Sequence, residues 1–452
     1  MRGRSFLILL VLALGLGAYA YFVELPRDTT AETEKKEKVV SADSSTFEEV
    51  RITSASGEVT VLKKVNNLWE ITAPEPLKAD SNEVGSLLTT LETLEAQRVI
   101  NEKPASFEPY GLEPPRFSVA IRTGGTDKVL HFGEKTPTGA DLYARVDGEP
   151  RLFVVSGYLE DSLNKTTFGL QDKAALTIER DLVDAVTLEA AGSPAVSVAK
   201  KGNEWRFTRP YDAKADAPAI DGIIGRLATA RMTAIEAKDG TADLKKYGLD
   251  KPQATVTVGS GSSAARLAIG AKKDDTNLYA RDLSRPMIFT VEPALLEELK
   301  KKPEDLRRKD IFEFRAFSAL GAALTIGGRT IELEKQKGAK PSDPNAPVPD
   351  VWKQTKPEPK DVDQAKVTDL LTALSSLRAE SFAEKPLASG EEFVVRVRFG
   401  DDPATAATEE VRFRKSGTVV HALLPGEGGA AVVSTTEFDR ALAIAKELAG
   451  IK

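Results

Sequence analysis

Around Trp69, Trp205 and Trp352 the chain alternates apolar and polar positions with a period of two, then switches to a helical period further on. In each of these three copies Thr stands three residues after Trp, Pro five after and Asp eleven after: Thr72, Pro74 and Asp80, then Thr208, Pro210 and Asp216, then Thr355, Pro357 and Asp363. The alternating part predicts a β-hairpin. Asn66-Asn67 and Gly202-Asn203 suit a two-residue turn that needs positive φ, which sets Leu62 opposite Ile71 and Val198 opposite Phe207 on the face carrying the Trp. The Pro ends the strand because it has no N–H for the ladder. Asp80, Asp216 and Asp363 are predicted helix N-caps, with Glu83 completing a capping box in the first copy. The helices then carry one apolar stripe at i, i+3, i+4 and i+7: Val84, Leu87, Leu88, Leu91; Ile220, Ile223, Ile224, Leu227; Val367, Leu370, Leu371, Leu374. Val99, Ile235 and Phe382 close the three copies at equal offsets from the Trp.

Period-two alternation resumes after each helix. In the first copy Tyr110-Gly111-Leu112 and Pro115 precede Phe117, Val119 and Ile121, then Leu130, Phe132, Gly133 and Leu142-Tyr143-Ala144-Arg145. The second copy has Tyr247-Gly248-Leu249 and Pro252, then Leu267, Ile269, Gly270 and Leu278-Tyr279-Ala280-Arg281. Turns of Gly and Asp between such runs predict antiparallel meanders. Short helices are expected around 158–163 and 295–299. The expected fold class is therefore α+β: three tandem repeats of hairpin, helix, antiparallel meander and helix, over 45–180, 181–315 and 316–452. The third repeat is degenerate. It lacks Tyr-Gly-Leu, has Val420-His421-Ala422-Leu423 in place of Leu-Tyr-Ala-Arg, and carries a Pro-rich insertion at 338–350. Trp352 is expected to be the mildest of the three tryptophans to remove, because Gln354 and Lys356 stand beside it.

The N-terminus reads differently. Arg2 and Arg4 precede an uncharged, mainly apolar run from Ser5 to Val23, ended by Glu24, Pro26 and Arg27. As a helix it is roughly 28 Å long, the thickness of a bilayer's hydrocarbon core. Residues 1–27 thus predict a single-pass anchor in the inner membrane through residues 5–23, with the N-terminus cytoplasmic and the body extracytoplasmic. Ala18-Tyr19-Ala20 offers the alternative of a cleaved signal peptide and a secreted body. Residues 28–44 read as a polar linker.

Composition narrows the chemistry. Across 452 residues the net charge is −6, which gives no electrostatic footprint for nucleic acid. Cysteine is absent, so there are no disulfides or thiolate metal sites. The two histidines, His131 and His421, lie on different predicted strands and read as satisfied sheet residues, so no metal or cofactor is expected. Gly-x-Ser-x-Gly and phosphate-cradling Gly-rich loops are lacking, and capping accounts for Asp80, Asp216 and Asp363. The chain is expected not to be an enzyme. Arg145 and Arg281 are the candidate ligand contacts, since a guanidinium grips carboxylate or phosphate with a bidentate fork. Trp69, Trp205 and Trp352 are assigned a structural role.

Trp-x-x-Thr-x-Pro with its Asp-headed helix, Tyr-Gly-Leu-x-x-Pro, Ile-Gly and Tyr-Ala-Arg together resemble the bacterial domain-of-unknown-function family DUF4340. The resemblance is good over the first two repeats and weak over the third. It implies a single-pass envelope protein, an accessory part of an ABC-type transport or gliding-like system. The expected function is a non-catalytic, membrane-tethered interaction scaffold with a protein partner in the envelope, the loop 338–350 being a candidate partner contact. The alternative is a binding module for a glycan or small anion, with Arg145 and Arg281 in matching grooves. The small-molecule ligand is unknown.

Overall fold

The computed structural model describes residues 37–239, 243–339 and 348–451. The chain divides into two compact units between Lys173 and Ala174. Each long sheet is antiparallel throughout and combines a hairpin half with a meander half. From edge to edge the first sheet runs Leu77–Lys78, Leu68–Ala73, Val59–Val65, Phe47–Thr53, Phe117–Thr123, Thr126–Lys135, Asp141–Val146, Leu152–Ser156 and Arg98–Asn101. The halves meet where Phe47–Thr53 pairs with Phe117–Thr123. The helix Ser81–Glu92 leaves one edge, and its chain returns as the opposite edge strand. At about 18 Å it crosses roughly four strands. All four stripe residues, Val84, Leu87, Leu88 and Leu91, are buried on that face.

The second unit holds an eight-stranded and a nine-stranded sheet with the same order, each crossed by its own helix, Ala217–Thr229 and Gln364–Ser375. Their stripes are likewise buried. The strands closing the far edges, Ala234–Ala237 and Ala379–Ala383, contain Ile235 and Phe382, as Arg98–Asn101 contains Val99. A last helix, Thr435–Ala449, packs Phe438 against the third core. Ile311, Phe312 and Phe314, ahead of the expected start of the third repeat, belong to that core too.

The hairpin register is as read from the turns. Asn66 and Asn67 have φ of 50° and 66°, Gly202 has φ of 64°, and Leu62 pairs with Ile71 as Val198 pairs with Phe207. Pro74, Pro210 and Pro357 each follow a cis peptide bond. Asp80 caps Asn82 and Glu83, Asp216 caps Ala219, and Asp363 caps Ala365 and Lys366. The capping box does not form. The Asp80 N–H donates to Leu170 O, and the Glu83 carboxylate pairs with Lys165 at 2.9 Å instead.

Two expectations are corrected. The balanced α+β class gives way to a mostly β architecture, 44% strand against 22% helical, in four antiparallel sheets. The reason is local: the closing segments Glu160–Leu163, Thr167–Leu170 and Pro303–Leu306 are single turns, so one long crossing helix for each of the three long sheets, with the last helix of the third, carries most of the helical content. The membrane placement is corrected as well. No helix among the described residues is long and apolar enough to cross a membrane. The span expected at 5–23 lies outside the described residues, and a single-pass inner-membrane protein with an extracytoplasmic body is not supported. The polar linker also ends early: Glu37–Lys38 pairs with Glu95–Ala96, the fourth sheet, and Val39 and Val40 are buried.

Candidate functional site

The repeated signatures turn out to be one packing device. In the first repeat Tyr110 meets Tyr143 edge-on at 4.9 Å, and in the second Tyr247 meets Tyr279 at the same distance. The Tyr-Gly-Leu segment lies so close to the meander that a Cβ on Gly133 would fall 2.1 Å from Tyr110 O, and one on Gly270 2.2 Å from Tyr247 O. Ile-Gly and Tyr-Ala-Arg are therefore the floor on which Tyr-Gly-Leu rests. The third repeat reaches the same result with a different residue. His421, in the place of Tyr143, accepts the Leu387 N–H at 3.1 Å through Nδ1, and the Arg414 guanidinium donates to Leu387 O.

The three tryptophans differ in burial. Trp205 and Trp352 are 4% and 7% exposed, with Lys200 and Lys335 ammonium groups over their rings, while Trp69 is only partly buried against its core. Lys335 has its pKa lowered by burial. The environment of Trp352 is thus tighter than Gln354 suggests. Gln354 is itself buried and turns its amide to Glu358 O at 2.9 Å.

Arg145 and Arg281 sit in unlike surroundings. Arg145 lies over the Phe107 ring at 4.9 Å and 3.5 Å from Asp147, and pairs across the sheet with His131, whose Nε2 is 3.4 Å from the same carboxylate. Arg145 Nε and His131 Nδ1 are buried without partners. Burial, and then the Arg145 charge, hold the His131 imidazole below its ordinary pKa, and burial does the same to His421. Arg281 faces Ala268 across its sheet and donates to Arg285 O at 3.3 Å. The two arginines do not form matching grooves.

The residue that sequence reasoning missed is Arg307. It follows the closing turn Pro303–Leu306 and is 2% exposed, with its guanidinium 4.4 Å from the Phe382 ring centre and 5.2 Å from that of Tyr211. Its Nη2 donates to Glu427 at 2.9 Å, and its Nε is buried without an acceptor. The signal was in the repeat: Leu170 O and Leu306 O accept the N–H of Asp80 and Asp216 in turn, so Arg307 stands where the first repeat buries Gln171. Glu427 comes from the glycine-rich loop Gly426–Gly429, where Gly429 has φ of 75° and passes against Ala383 O.

Around this pair the second and third repeats are stitched together. Arg206 donates to Gly426 O at 3.2 Å, Gly428 N to Asp212 O at 2.8 Å, and Lys214 N to Glu427 at 3.3 Å. Lys214 and Arg308 both pair with Glu313, whose carboxyl they hold below the usual range against the opposing effect of its burial. What this leaves open is a cleft of about 700 Å³ within the second unit. Its lining includes the apolar Leu188, Val196, Pro210 and Leu299, then Arg307 and Phe382, and the charged Lys301, Lys302, Glu304 and Glu384. Arg281 does not line it. Among the described residues no group of three or more His, Asp or Glu is placed to hold a metal.

The family described as "Domain of unknown function (DUF4340)" matches residues 69–206 and again 205–392. Each match opens at a repeat tryptophan, so the family's unit runs out of frame with the sheets. Comparison with curated proteins and with solved structures finds no match.

Proposed function

The chain belongs to the DUF4340 family, and on that premise we propose that it is a non-catalytic binding module whose recognition site is the cleft beside Arg307. The single observation behind this reading is a cavity of about 700 Å³ whose lining combines several apolar side chains with a buried guanidinium. Concave, largely apolar sites with a few convergent polar groups are where proteins hold small ligands. The expectation of an interaction scaffold, drawn from the N-terminal apolar run, the repeated modules and the lack of a catalytic motif, takes second place. Of the loop proposed as a partner contact, residues 340–347 lie outside the described residues, and its base is a hairpin closed by Gly338 N donating to Pro349 O at 2.8 Å.

The test uses a cleft-blocking variant of the whole chain. Ala190 lines the cleft, and Ala190→Trp fills it. A panel of small apolar and anionic compounds should raise the melting temperature of the wild type and leave that of Ala190→Trp unchanged. Equal shifts in both proteins would place binding elsewhere and defeat the proposal.

A further inference from the structure

We infer that the cleft takes a small carboxylate carrying an apolar tail. This rests on the reading of the cleft as a binding site and goes on to name the chemistry of its ligand. Leu188, Val196, Pro210 and Leu299 in the lining offer a ligand hydrophobic contact, which suits an apolar body. The polar end is set by Arg307. A guanidinium presents five N–H donors in one plane and has no acceptor. Here a single carboxylate oxygen of Glu427 takes one of them, and Nε is left without an acceptor. The Tyr211 and Phe382 rings lie 5.2 Å and 4.4 Å from the guanidinium carbon, so the nearest neighbours of the charge besides Glu427 are aromatic.

Ligand charge follows from the same geometry. The Arg307 charge is already paired with Glu427, so the discrimination rests on hydrogen bonding: a guanidinium has donors only, a cationic head brings no acceptor to it, and a hydrocarbon leaves its Nε without one. An anionic oxygen adds a charge-assisted hydrogen bond, the stronger class. The lining also carries Glu304 and Glu384 beside Lys301 and Lys302. This nearly balanced set of charges gives a bare inorganic anion little reason to stay. Selectivity comes from requiring the tail and the head together.

Titration calorimetry of the intact chain with decanoate, 1-decanol and decyltrimethylammonium tests this. Decanoate should bind at least tenfold more tightly than either of the others. Removing Arg307 alone strands Glu427, so the informative variant is Arg307→Met with Glu427→Gln. This pair should keep most of the wild-type stability and bind decanoate no better than decanol. A peptide ending in Leu, with a free or an amidated C-terminus, separates the two sources of such a group. Tighter binding of the free-ended peptide than of decanoate assigns the carboxylate to a polypeptide end, and weaker binding assigns it to a free acid. Decanol binding as tightly as decanoate in the wild type would overturn the carboxylate assignment while keeping the cleft as a binding site. Decanoate binding undiminished in Ala190→Trp, or no binding of any of the amphiphiles, would overturn both.

Discussion

Arg307 donates to Glu427 at 2.9 Å across the junction of two repeats, with side chains only 2% and 8% exposed. A charge this deep is tolerable because it is paired, and stranding either partner costs far more than removing both. Arg307→Met should therefore destabilise the chain by about 3–5 kcal/mol, and adding Glu427→Gln should recover most of that loss. Urea denaturation of the two variants decides it. Additive losses would show that the ion pair is not a coupled unit.

The glycines of the meander give a sharper contrast. Gly133→Ala and Gly270→Ala would each drive a Cβ into a backbone carbonyl, at a cost of at least about 1–3 kcal/mol. Gly222 lies in the helix Ala217–Thr229 with open space around its Cβ position, so Gly222→Ala should stabilise by about 0.5–1 kcal/mol. Thermal unfolding of the three variants should split in sign. Losses of similar size at all three would contradict the packing described.

Burial reverses the order expected for the tryptophans. Trp205→Ala and Trp352→Ala should each cost about 3–5 kcal/mol, and Trp69→Ala clearly less, because Trp69 alone is partly open to solvent. Denaturation midpoints that rank Trp69→Ala as the most damaging would refute this.

Both histidines are held below the ordinary imidazole value, His131 by burial and then by Arg145, His421 by burial. The folded chain then binds fewer protons than the unfolded chain just below about pH 6.5. Their stabilising contribution is complete above that value. It declines as the pH falls towards the depressed folded values, and levels below them. Between about pH 7.5 and about pH 5 the melting temperature of wild type should fall more than that of His131→Asn/His421→Asn. Parallel curves would remove the histidines from the pH dependence.

Much of the fold was legible because its signals are local. The register of Leu62 on Ile71 follows from Asn66-Asn67, the capping by Asp216 follows from its spacing to the helix stripe, and the stripe itself predicts its buried face. The failures are tertiary. Glu83 has the spacing of a capping box, yet Leu170 O already occupies the Asp80 N–H it would need. The closing segments have helical composition, but they are held as single turns against the crossing helices. Arg145 and Arg281 share a motif, yet one faces His131 and the other Ala268, which no internal repeat of Tyr-Ala-Arg reveals. Arg307 was legible only by aligning it with Gln171, and its partner Glu427 stands 120 residues away in a repeat where the alignment fades.

Crystals of the intact chain soaked with a library of apolar, neutral polar and carboxylate fragments test the central claim most directly. The account predicts recurrent density in the cleft, with carboxylate oxygens within hydrogen-bonding distance of the Arg307 guanidinium and apolar groups along Leu188, Val196 and Leu299. A cleft that stays empty while fragments collect on other surfaces would contradict it.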